Sequence, residues 1–564
     1  MFRRHFVAGR SLEQRDAVRP LSAWHRAVLI AVFIVAAGTA EAQQPATVPG
    51  SSAISSCGVR EPGDTRPRIG LALGGGGARG IAHISVLRKI EELRIPVDCI
   101  AGTSMGALVG GLYASGMSVD DMRALVESTD WKRLFDDSLA RPERSYRRKQ
   151  DDREALATVG IGIGARGVRL APGLLQGERI LAMFEKSTLG VSALEHFDQL
   201  PIPYRAVATD LNIGEAVILD HGSLAMAMRA SMSLPGIFQP AEIDGRVLLD
   251  GGLVNQVPVD VVRDMGADVV IAVDVGTPLE PLDRNASLLE VVSQISGMMT
   301  TGNTRRQLET LAARDVLIVP KLGNVVATGD FEKASAALVI GDQAAEAAHG
   351  ALAQLAATET TYPASHSQRA LATAAPVVAF VRLDNETSYS DELLLSQLQI
   401  PIGETLDADA IEKRLLRVYS LGTIARATYE VVSEDNQVGV LLTVRPKPQG
   451  PNYLQLGLTH NSDFDGTHET TLRGAILFSP LSPFGAEGRV IVAVGTEPEL
   501  LGEYYHPLDL SNRNLLFVQG GYQNPNVNLF DADGNLFATY DIRRLGLGLQ
   551  AAHEFGNYGV GAVG

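Results

Sequence analysis

The chain has 564 residues, of which 45% are hydrophobic and 5% aromatic. This length is enough for several globular domains, and the apolar content is too high for a disordered chain. The formal net charge of −16 argues against a nucleic-acid partner, because phosphates are bound by basic surfaces. No Cys/His spacing typical of a metal site occurs, so we expect no metal.

The first 42 residues have the features of a signal peptide. An apolar run at residues 27–37 is followed by the small-x-small sequence Ala40-Glu-Ala42. The run is short for a transmembrane helix, although the long basic stretch before it leaves an N-terminal anchor as the alternative. Residues 43–67 are rich in Pro, Ser, Gly and Ala and predict a linker. We therefore expect an exported protein. The arginines of the basic stretch are Arg3, Arg4, Arg10, Arg15, Arg19 and Arg26.

The two cysteines of the chain lie in different contexts. Cys57 falls in the predicted linker and Cys99 on a predicted strand. An oxidising compartment would allow a bridge between them. Because Cys57 lies in a stretch predicted to be flexible, we expect no structural disulfide.

From residue 68 the sequence alternates between strand and helix patterns. A strand at 69–73, a glycine loop at 74–80 and a helix at 81–93 come first, and further β-rich runs follow as far as residue 320. This alternation predicts an α/β layered domain with a largely parallel sheet over residues 68–356. The highly charged stretch 136–155 predicts a surface loop or lid.

A serine lies between the second predicted strand and the helix after it, in Gly102-Thr-Ser104-Met-Gly106. The G-x-S-x-G pattern is that of a nucleophile elbow, in which glycines let the strand and helix pass closely. The helix that begins at Met105 would point its N-terminal amides at the space above the Ser104 hydroxyl. The pattern predicts Ser104 as a nucleophile.

The glycine loop, Gly74-Gly-Gly-Gly-Ala-Arg-Gly80, follows the first strand directly. Uncovered backbone N–H groups in such a loop can hold an oxyanion. A dinucleotide-binding fingerprint is the alternative, since Gly75-x-Gly77-x-x-Gly80 also fits G-x-G-x-x-G. In that case Asp98 or Glu92 would be the ribose-binding acid.

Asp250-Gly251-Gly252 ends a later strand. Asp250 either caps a turn or acts as a base beside Ser104; an ordinary Asp pKa of ~3.9 makes a weak base, which burial would strengthen. A Ser-His-Asp triad of the hydrolase order needs a histidine after the acid. His83 precedes it, and we expect His83 to be packed on its helix.

Together, these three motifs resemble those of the patatin-like phospholipases in order and spacing, over about residues 68–320. The resemblance implies a serine–aspartate dyad without histidine, with Ser104 as the nucleophile and Asp250 as the proton acceptor. It also implies that no cofactor is needed. The implied oxyanion hole consists of Gly75, Gly76, Gly77 and the Met105 amide, and the remaining motif positions are Arg79, Gly80, Gly102, Gly106, Gly251 and Gly252. Gly74 replaces a common Asp at the start of the loop.

After a second predicted linker at 357–375 the pattern changes twice. Residues 376–446 have a β-α-α-β-β order that resembles a POTRA domain. Residues 451–564 contain segments of about ten alternating residues, which predict part of an antiparallel transmembrane β-barrel resembling the surface-antigen type. A soluble β-sandwich is the alternative. The complete order resembles the patatin-POTRA-barrel autotransporters of Gram-negative bacteria.

The resemblances imply a phospholipase A-type lipid acyl hydrolase that is displayed or secreted at the outer membrane through its own barrel. The implied partners are a phospholipid membrane as substrate, the outer-membrane lipid around the barrel and the barrel assembly machinery, with a homodimer left open. The alternative is a POTRA-barrel transport or assembly protein with an accessory α/β domain. Head-group and acyl-chain preference and calcium dependence stay open.

Overall fold

The computed structural model describes residues 56–58, 66–137, 139–153, 156–164, 167–279, 281–358, 362, 375–435, 437–462, 468–532, 536–556 and 559–564. The predicted signal peptide lies outside the described residues, as do most of the two predicted linkers. None of the described helices combines the length and the apolar character needed to cross a membrane.

The first part of the chain folds around one central sheet, which confirms the predicted α/β class. Its strands and those beside it are β1 Ile69–Leu73, β2 Cys99–Thr103, β3 Ala157–Gly164, β4 Gly167–Leu170, β5 Gly173–Leu175, β6 Tyr204–Asp210, β7 Ala216–Leu219, β8 Gly236–Phe238, β9 Ala241–Ile243, β10 Arg246–Asp250, β11 Val269–Val273 and β12 Val316–Ile318. The sheet order is β12-β11-β1-β2-β6-β10-β9, with β7 paired to β6. Strands β12 to β6 run parallel, whereas β10 is antiparallel to β6.

Helices cover both faces of this sheet. The helices of this part of the chain are α1 Ala82–Glu92, α2 Met105–Ala114, α3 Val119–Ser128, α4 Trp131–Leu134, α5 Tyr146–Arg153, α6 Glu178–Ser187, α7 Leu224–Ser231, α8 Val259–Asp264, α9 Leu288–Leu308, α10 Ala334–Ala347 and α11 His349–Leu352. Strands β1, β2 and β11 are buried along their whole length, as expected for a parallel sheet covered on both sides. Neighbouring residues of β1 accordingly enter different apolar cores: Leu71 and Leu73 the larger one, Ala72 the smaller.

A disulfide joins Cys57 to Cys99, with their Cα atoms 4.8 Å apart, so our expectation of no bridge is wrong. The segment around Cys57 is held on the sheet, since the Cys57 amide donates to the Met265 carbonyl at 2.9 Å. Both cysteines are buried in the smaller core. The sequence concealed this because residues 59–65 separate Cys57 from the first strand by a stretch with no strand or helix pattern.

The next segment has its own small core. Its elements are β13 Val381–Asn385, α12 Asp391–Leu398, α13 Ala408–Tyr419, β14 Ile424–Glu434 and β15 Gln437–Pro446. Strand β15 lies between β13, to which it is parallel, and β14, to which it is antiparallel. Helix α12 is capped by Ser390 and helix α13 by Asp407, whose side chains accept backbone N–H bonds of the first turn. The helices bury leucines such as Leu393 and Leu415 against the strands.

The last part of the chain is a large antiparallel sheet. Its strands and a separate hairpin are β16 Asn452–Ser462, β17 His468–Phe478, β18 Glu487–Gly495, β19 Glu499–Pro507, β20 Asn514–Gln523, β21 Asn526–Phe530, β22 Leu536–Asp541, β23 Arg544–Glu554 and β24 Val560–Val563. The order of this C-terminal sheet is β24-β23-β20-β19-β18-β17-β16-β3-β4. The hairpin β3–β4, from the α/β part of the chain, therefore completes its edge.

The charged stretch 136–155 is not simply a surface loop. Its helix α5 packs against the C-terminal sheet, and Arg147 and Asp151 on it are buried. Arg147 forms ion pairs with Glu487 at 3.2 Å and Glu503 at 3.0 Å, and Asp151 pairs with Arg489 at 2.6 Å. The charge that suggested solvent exposure is instead satisfied by opposite charges more than 300 residues away in the sequence.

Candidate active site

Ser104 occupies the sharp turn between β2 and α2 with φ of 52°, a conformation that non-glycine residues rarely adopt. The two glycines of the motif make this turn possible. A Cβ on Gly106 would lie 2.1 Å from the Leu73 carbonyl oxygen, and one on Gly102 would lie 2.3 Å from the Gly106 oxygen. The turn therefore has the close strand–helix packing of a nucleophile elbow. Ser104 is only 5% exposed.

The carboxyl group of Asp250 reaches the same edge of the sheet. Thr103 pairs with Val207 on β6, and Asp250 pairs with the next residue, Ala208, from the other side of that strand. This register brings Ser104 and Asp250 together across β6, although 146 positions separate them in the sequence. Burial raises the pKa of Asp250 to about 6, and hydrogen bonding from the Ser104 hydroxyl and the Gly252 amide opposes that rise.

The two oxygens of Asp250 have different environments. Oδ1 accepts the Gly252 N–H at 2.7 Å, whereas Oδ2 is buried without a hydrogen-bond partner of good geometry. A buried unsatisfied carboxylate oxygen is costly in a stable fold. Its placement beside a serine hydroxyl in a strained turn is the arrangement that a proton acceptor requires.

The glycine loop packs directly onto the nucleophile. A Cβ on Gly75 would lie 3.0 Å from the Ser104 Cβ. The Gly75 N–H is already bonded to the Gln256 carbonyl at 3.1 Å, so Gly75 contributes close approach and not a free donor. Among the described residues none accepts a backbone hydrogen bond from the N–H groups of Gly76, Gly77 or Met105. Of the four positions predicted for an oxyanion hole, these three retain uncommitted amides.

Arg79 anchors the loop and does not point to Ser104. Its guanidinium donates to the carbonyls of Val275, Gly276, Gly323 and Val326 at 2.8–2.9 Å. Burial lowers the pKa of Arg79, and the nearby Asp274 carboxylate acts in the opposite direction.

The end of the glycine loop packs against the elbow, where a Cβ on Gly80 would lie 2.4 Å from the Met105 Cγ. At the turn after Asp250, Gly251 passes close to β6, since its Cβ would lie 2.1 Å from the Val207 carbonyl oxygen. All three sequence motifs therefore meet around Ser104.

His83 is fully buried, and its Nε2 lies 2.8 Å from the Gly74 carbonyl oxygen, as expected for a packed histidine. Burial lowers the pKa of His83 to about 4, so the ring is neutral near pH 7.

Both acids that could bind a ribose in the dinucleotide alternative form ion pairs within the protein. The Asp98 carboxylate is bound by the Arg66 guanidinium at 2.7 and 2.5 Å and by the Ile69 amide. Glu92 is engaged by Lys89 at 3.3 Å. The Asp98 carboxylate is therefore already bound within the protein, whereas Glu92 lies in exposed ion pairs on the surface of α1.

Three residues that sequence reasoning did not assign complete the site. Ser231 accepts the Ser104 N–H at 2.9 Å and donates to the Val207 carbonyl. Gln256 and Asn303 form hydrogen bonds to the glycine loop and to the turn after Asp250. Ser231 and Gln256 lie outside the three motifs of the sequence, and Asn303, in the C-terminal half of α9, has no local sequence signal.

No group of three or more His, Cys, Asp or Glu side chains in the described parts of the chain could hold a metal ion.

Residues 71–263 match the family model described as Patatin-like phospholipase. An NTE family protein of Mycobacterium tuberculosis is 38% identical over 215 residues, which is 38% of this chain and 51% of that protein. A patatin-like phospholipase domain-containing protein of Caenorhabditis elegans is 37% identical over 41% of this chain and 15% of its own length. The matched region thus spans about half of the mycobacterial relative, and the chain contains a patatin-like phospholipase domain.

Among solved structures, VipD from Legionella pneumophila is similar with a TM-score of 0.28 and 16% identity, over 50% of this chain and 67% of that one.

Proposed function

We propose that this protein is a lipid acyl hydrolase of the phospholipase A type, in which Ser104 and Asp250 act as a dyad. The observation that carries the proposal is the contact between a serine in a strained elbow and a buried carboxyl group whose pKa is raised to about 6. A carboxylate with a pKa close to the working pH is a stronger base than an ordinary Asp. The patatin-like domain match supports lipid esters as the substrate class.

In the proposed reaction Ser104 Oγ attacks the ester carbonyl while its proton moves to Asp250. The amides of Gly76, Gly77 and Met105 stabilise the tetrahedral oxyanion, and the N-terminus of α2 adds its dipole. The proton then passes to the departing alcohol, the lysolipid, and a water molecule hydrolyses the acyl-enzyme with Asp250 again as the base.

The test uses the full chain in mixed phospholipid vesicles and measures the release of free fatty acid. Ser104→Ala and Asp250→Asn should each lower kcat by at least about 10³-fold, in line with the loss of a nucleophile or its base. Ser115→Ala is the matched control, since its hydroxyl bonds to the Leu112 carbonyl at the far end of α2. Full activity in Ser104→Ala would refute the mechanism.

We further propose that the C-terminal sheet is part of an outer-membrane barrel that displays the hydrolase domain, with residues 376–446 as a POTRA domain. What supports the barrel is the alternation along its strands. On β18 the exposed residues are Val490, Val492 and Val494, while Ile491 and Ala493 between them are buried, as is Arg489 before them. Leu545, Leu547 and Leu549 of β23 are 87%, 83% and 60% exposed. An apolar outer face over a polar inner face is typical of a lipid-exposed sheet.

Expression with residues 1–42 in a Gram-negative host tests this placement. The full chain should fractionate with the outer membrane, and external protease should remove the hydrolase domain from intact cells. Recovery in the soluble periplasm would contradict the placement. If the chain reaches the membrane and a client protein fails to be secreted in its absence, while vesicle lipids are untouched, the transport alternative replaces the hydrolase proposal.

A further inference from the structure

Asn303 connects α9 to the turn that follows Asp250. Its side chain is buried, with 3% exposure, and makes two hydrogen bonds. Nδ2 donates to the Gly252 carbonyl at 2.8 Å, and Oδ1 accepts the Gln256 N–H at 2.8 Å. Because the same Gly252 donates its own N–H to Asp250 Oδ1 at 2.7 Å, a single residue connects Asn303 to the carboxyl group.

Gln256 connects the same turn to the glycine loop. Its side-chain Nε2 donates to the Gly75 carbonyl at 2.7 Å, and its backbone carbonyl accepts the Gly75 N–H at 3.1 Å. A Cβ on Gly75 would lie 2.8 Å from the Gln256 Oε1, so the side chain fills the space beside the loop. Gln256 therefore fixes both the backbone N–H and the backbone carbonyl of Gly75.

From this geometry we infer that Asn303 and Gln256 are positioning residues that hold the two halves of the active site in register. The inference rests on the proposed function. Asn303 holds the carbonyl of Gly252, the residue whose N–H contacts the base, and Gln256 holds the loop that supplies the oxyanion donors. Neither side chain touches the reacting atoms, so each acts through a neighbour. The two hydrogen bonds of Asn303 connect the turn after Asp250 to Gln256, so that one chain of hydrogen bonds runs from Asp250 to Gly75.

Loss of Asn303 and loss of Gln256 should have different effects on the kinetics, which makes the inference testable. Loss of the Asn303 donor frees the carbonyl of Gly252, and Gly252 can then move its N–H away from Asp250. That N–H holds the pKa of Asp250 below the value that burial alone would give. The acid limb of kcat/KM should then move to higher pH. Loss of the Gln256 side chain frees the glycine loop and weakens oxyanion stabilisation, which lowers kcat without changing the base.

The experiment measures kcat and KM from pH 4 to 9 with the full chain and a short-chain ester. Asn303→Ala should lower kcat about 10–100-fold, leave KM within about threefold, and raise the acid limb by about 0.5–1 pH unit, the size of one hydrogen bond. Asn303→Asp keeps the acceptor for the Gln256 N–H but not the donor, so it should show the pH shift with a smaller loss of kcat. Gln256→Ala should lower kcat about 10–100-fold with an unchanged acid limb.

Ser296→Ala is the control on the same helix, since its hydroxyl donates to the Val292 carbonyl one turn earlier. Thermal unfolding verifies that each variant is folded, and Asn303→Asp replaces Asn303→Ala if the latter is not. A folded Asn303 variant with the wild-type kcat and acid limb overturns the inference. So does an acid limb that moves equally in Gln256→Ala. If the wild type shows no Ser104-dependent hydrolysis and no labelling of Ser104 by a fluorophosphonate, the proposed function itself has failed.

Discussion

The two large sheets of this protein differ in the side chains that they bury. In the α/β sheet, β1, β2 and β11 are apolar and buried on both faces. In the C-terminal sheet the outward residues of β18 and β23 are apolar, whereas Arg489, Glu487 and Glu503 on the inner face are almost completely buried. Apolar residues on the outward face are the pattern expected if the C-terminal sheet faces lipid, as proposed above, whereas strands buried on both faces suit a domain in water.

The buried charges of the two regions also differ. In the C-terminal sheet they are paired, since Arg489 contacts Asp151 at 2.6 Å and Glu503 at 2.7 Å. In the α/β domain the described hydrogen-bond partners of the Asp250 carboxyl are the Gly252 amide and the Ser104 hydroxyl, neither of which is a cation. Paired charges hold two parts of the chain together, whereas an unpaired buried carboxylate at an elbow serine is reactive at the expense of stability.

The largest change in stability should come from a polar substitution of a buried leucine in the α/β sheet, compared with one of an exposed leucine in the C-terminal sheet. Leu71→Asn places an amide in a fully buried position of β1 and should cost at least about 4 kcal/mol of the free energy of unfolding. Leu547→Arg, on the exposed face of β23, should change stability in water by less than about 0.5 kcal/mol but weaken insertion into vesicles by about 2–4 kcal/mol. Denaturant titration and vesicle flotation measure the two quantities. Unchanged flotation of Leu547→Arg would mean that this face meets water.

The second-largest loss of stability should come from removing a cation from the buried ion pairs of the C-terminal sheet. Arg489→Met removes the cation shared by Asp151 and Glu503 and leaves two buried carboxylates with fewer partners, at a cost of about 3–5 kcal/mol. Arg544→Met, on the exposed surface of β23, is the control and should cost almost nothing. Loss of protease resistance in α5 and the C-terminal sheet is the measurement. Equal resistance in both variants would show that the cluster does not hold α5 in place.

In the α/β domain the disulfide gives a smaller effect. Cys57 and Cys99 close a loop with a sequence separation of 42, for which chain entropy predicts about 2–4 kcal/mol of stabilisation. The double variant Cys57→Ser/Cys99→Ser should unfold at correspondingly lower denaturant concentration, and reduction of the wild type should reproduce the shift. A wild type that is insensitive to reductant would contradict the bridge.

Substitution of Asp250, which has no cationic partner among the described residues, should raise the free energy of unfolding instead of lowering it. The folded pKa of Asp250, about 6, exceeds the unfolded value of ~3.9, so the penalty is complete above pH 6 and disappears as the pH falls towards 4. Asp250→Asn should therefore be inactive yet more stable at pH 8, by on the order of 2–3 kcal/mol, with no advantage at pH 4. Hydrolysis by the wild type should fall about tenfold per pH unit below pH 6. Thermal unfolding at the two pH values decides the sign.

The sequence by itself determined the local parts of the active site. Gly102 and Gly106 identify the elbow around Ser104, because the strand and the helix approach each other more closely than a Cβ would allow. The glycine loop and Asp250 were recognisable for the same reason, since each is a short motif with a fixed place at a strand end. The alternation of strands and helices likewise predicted the α/β class.

Only the tertiary structure decided which distant groups complete these motifs. Asn303 reaches Gly252 from a helix about 50 residues away, and Ser231 supports Ser104 across β6. Cys57 forms a disulfide with Cys99, and the charged residues of α5 form ion pairs with residues on β18 and β19. Side chains such as these carry no periodic or backbone signal, because their partners depend on how sheets and helices pack. The sequence specifies what each turn can be, and the packing specifies what each side chain meets.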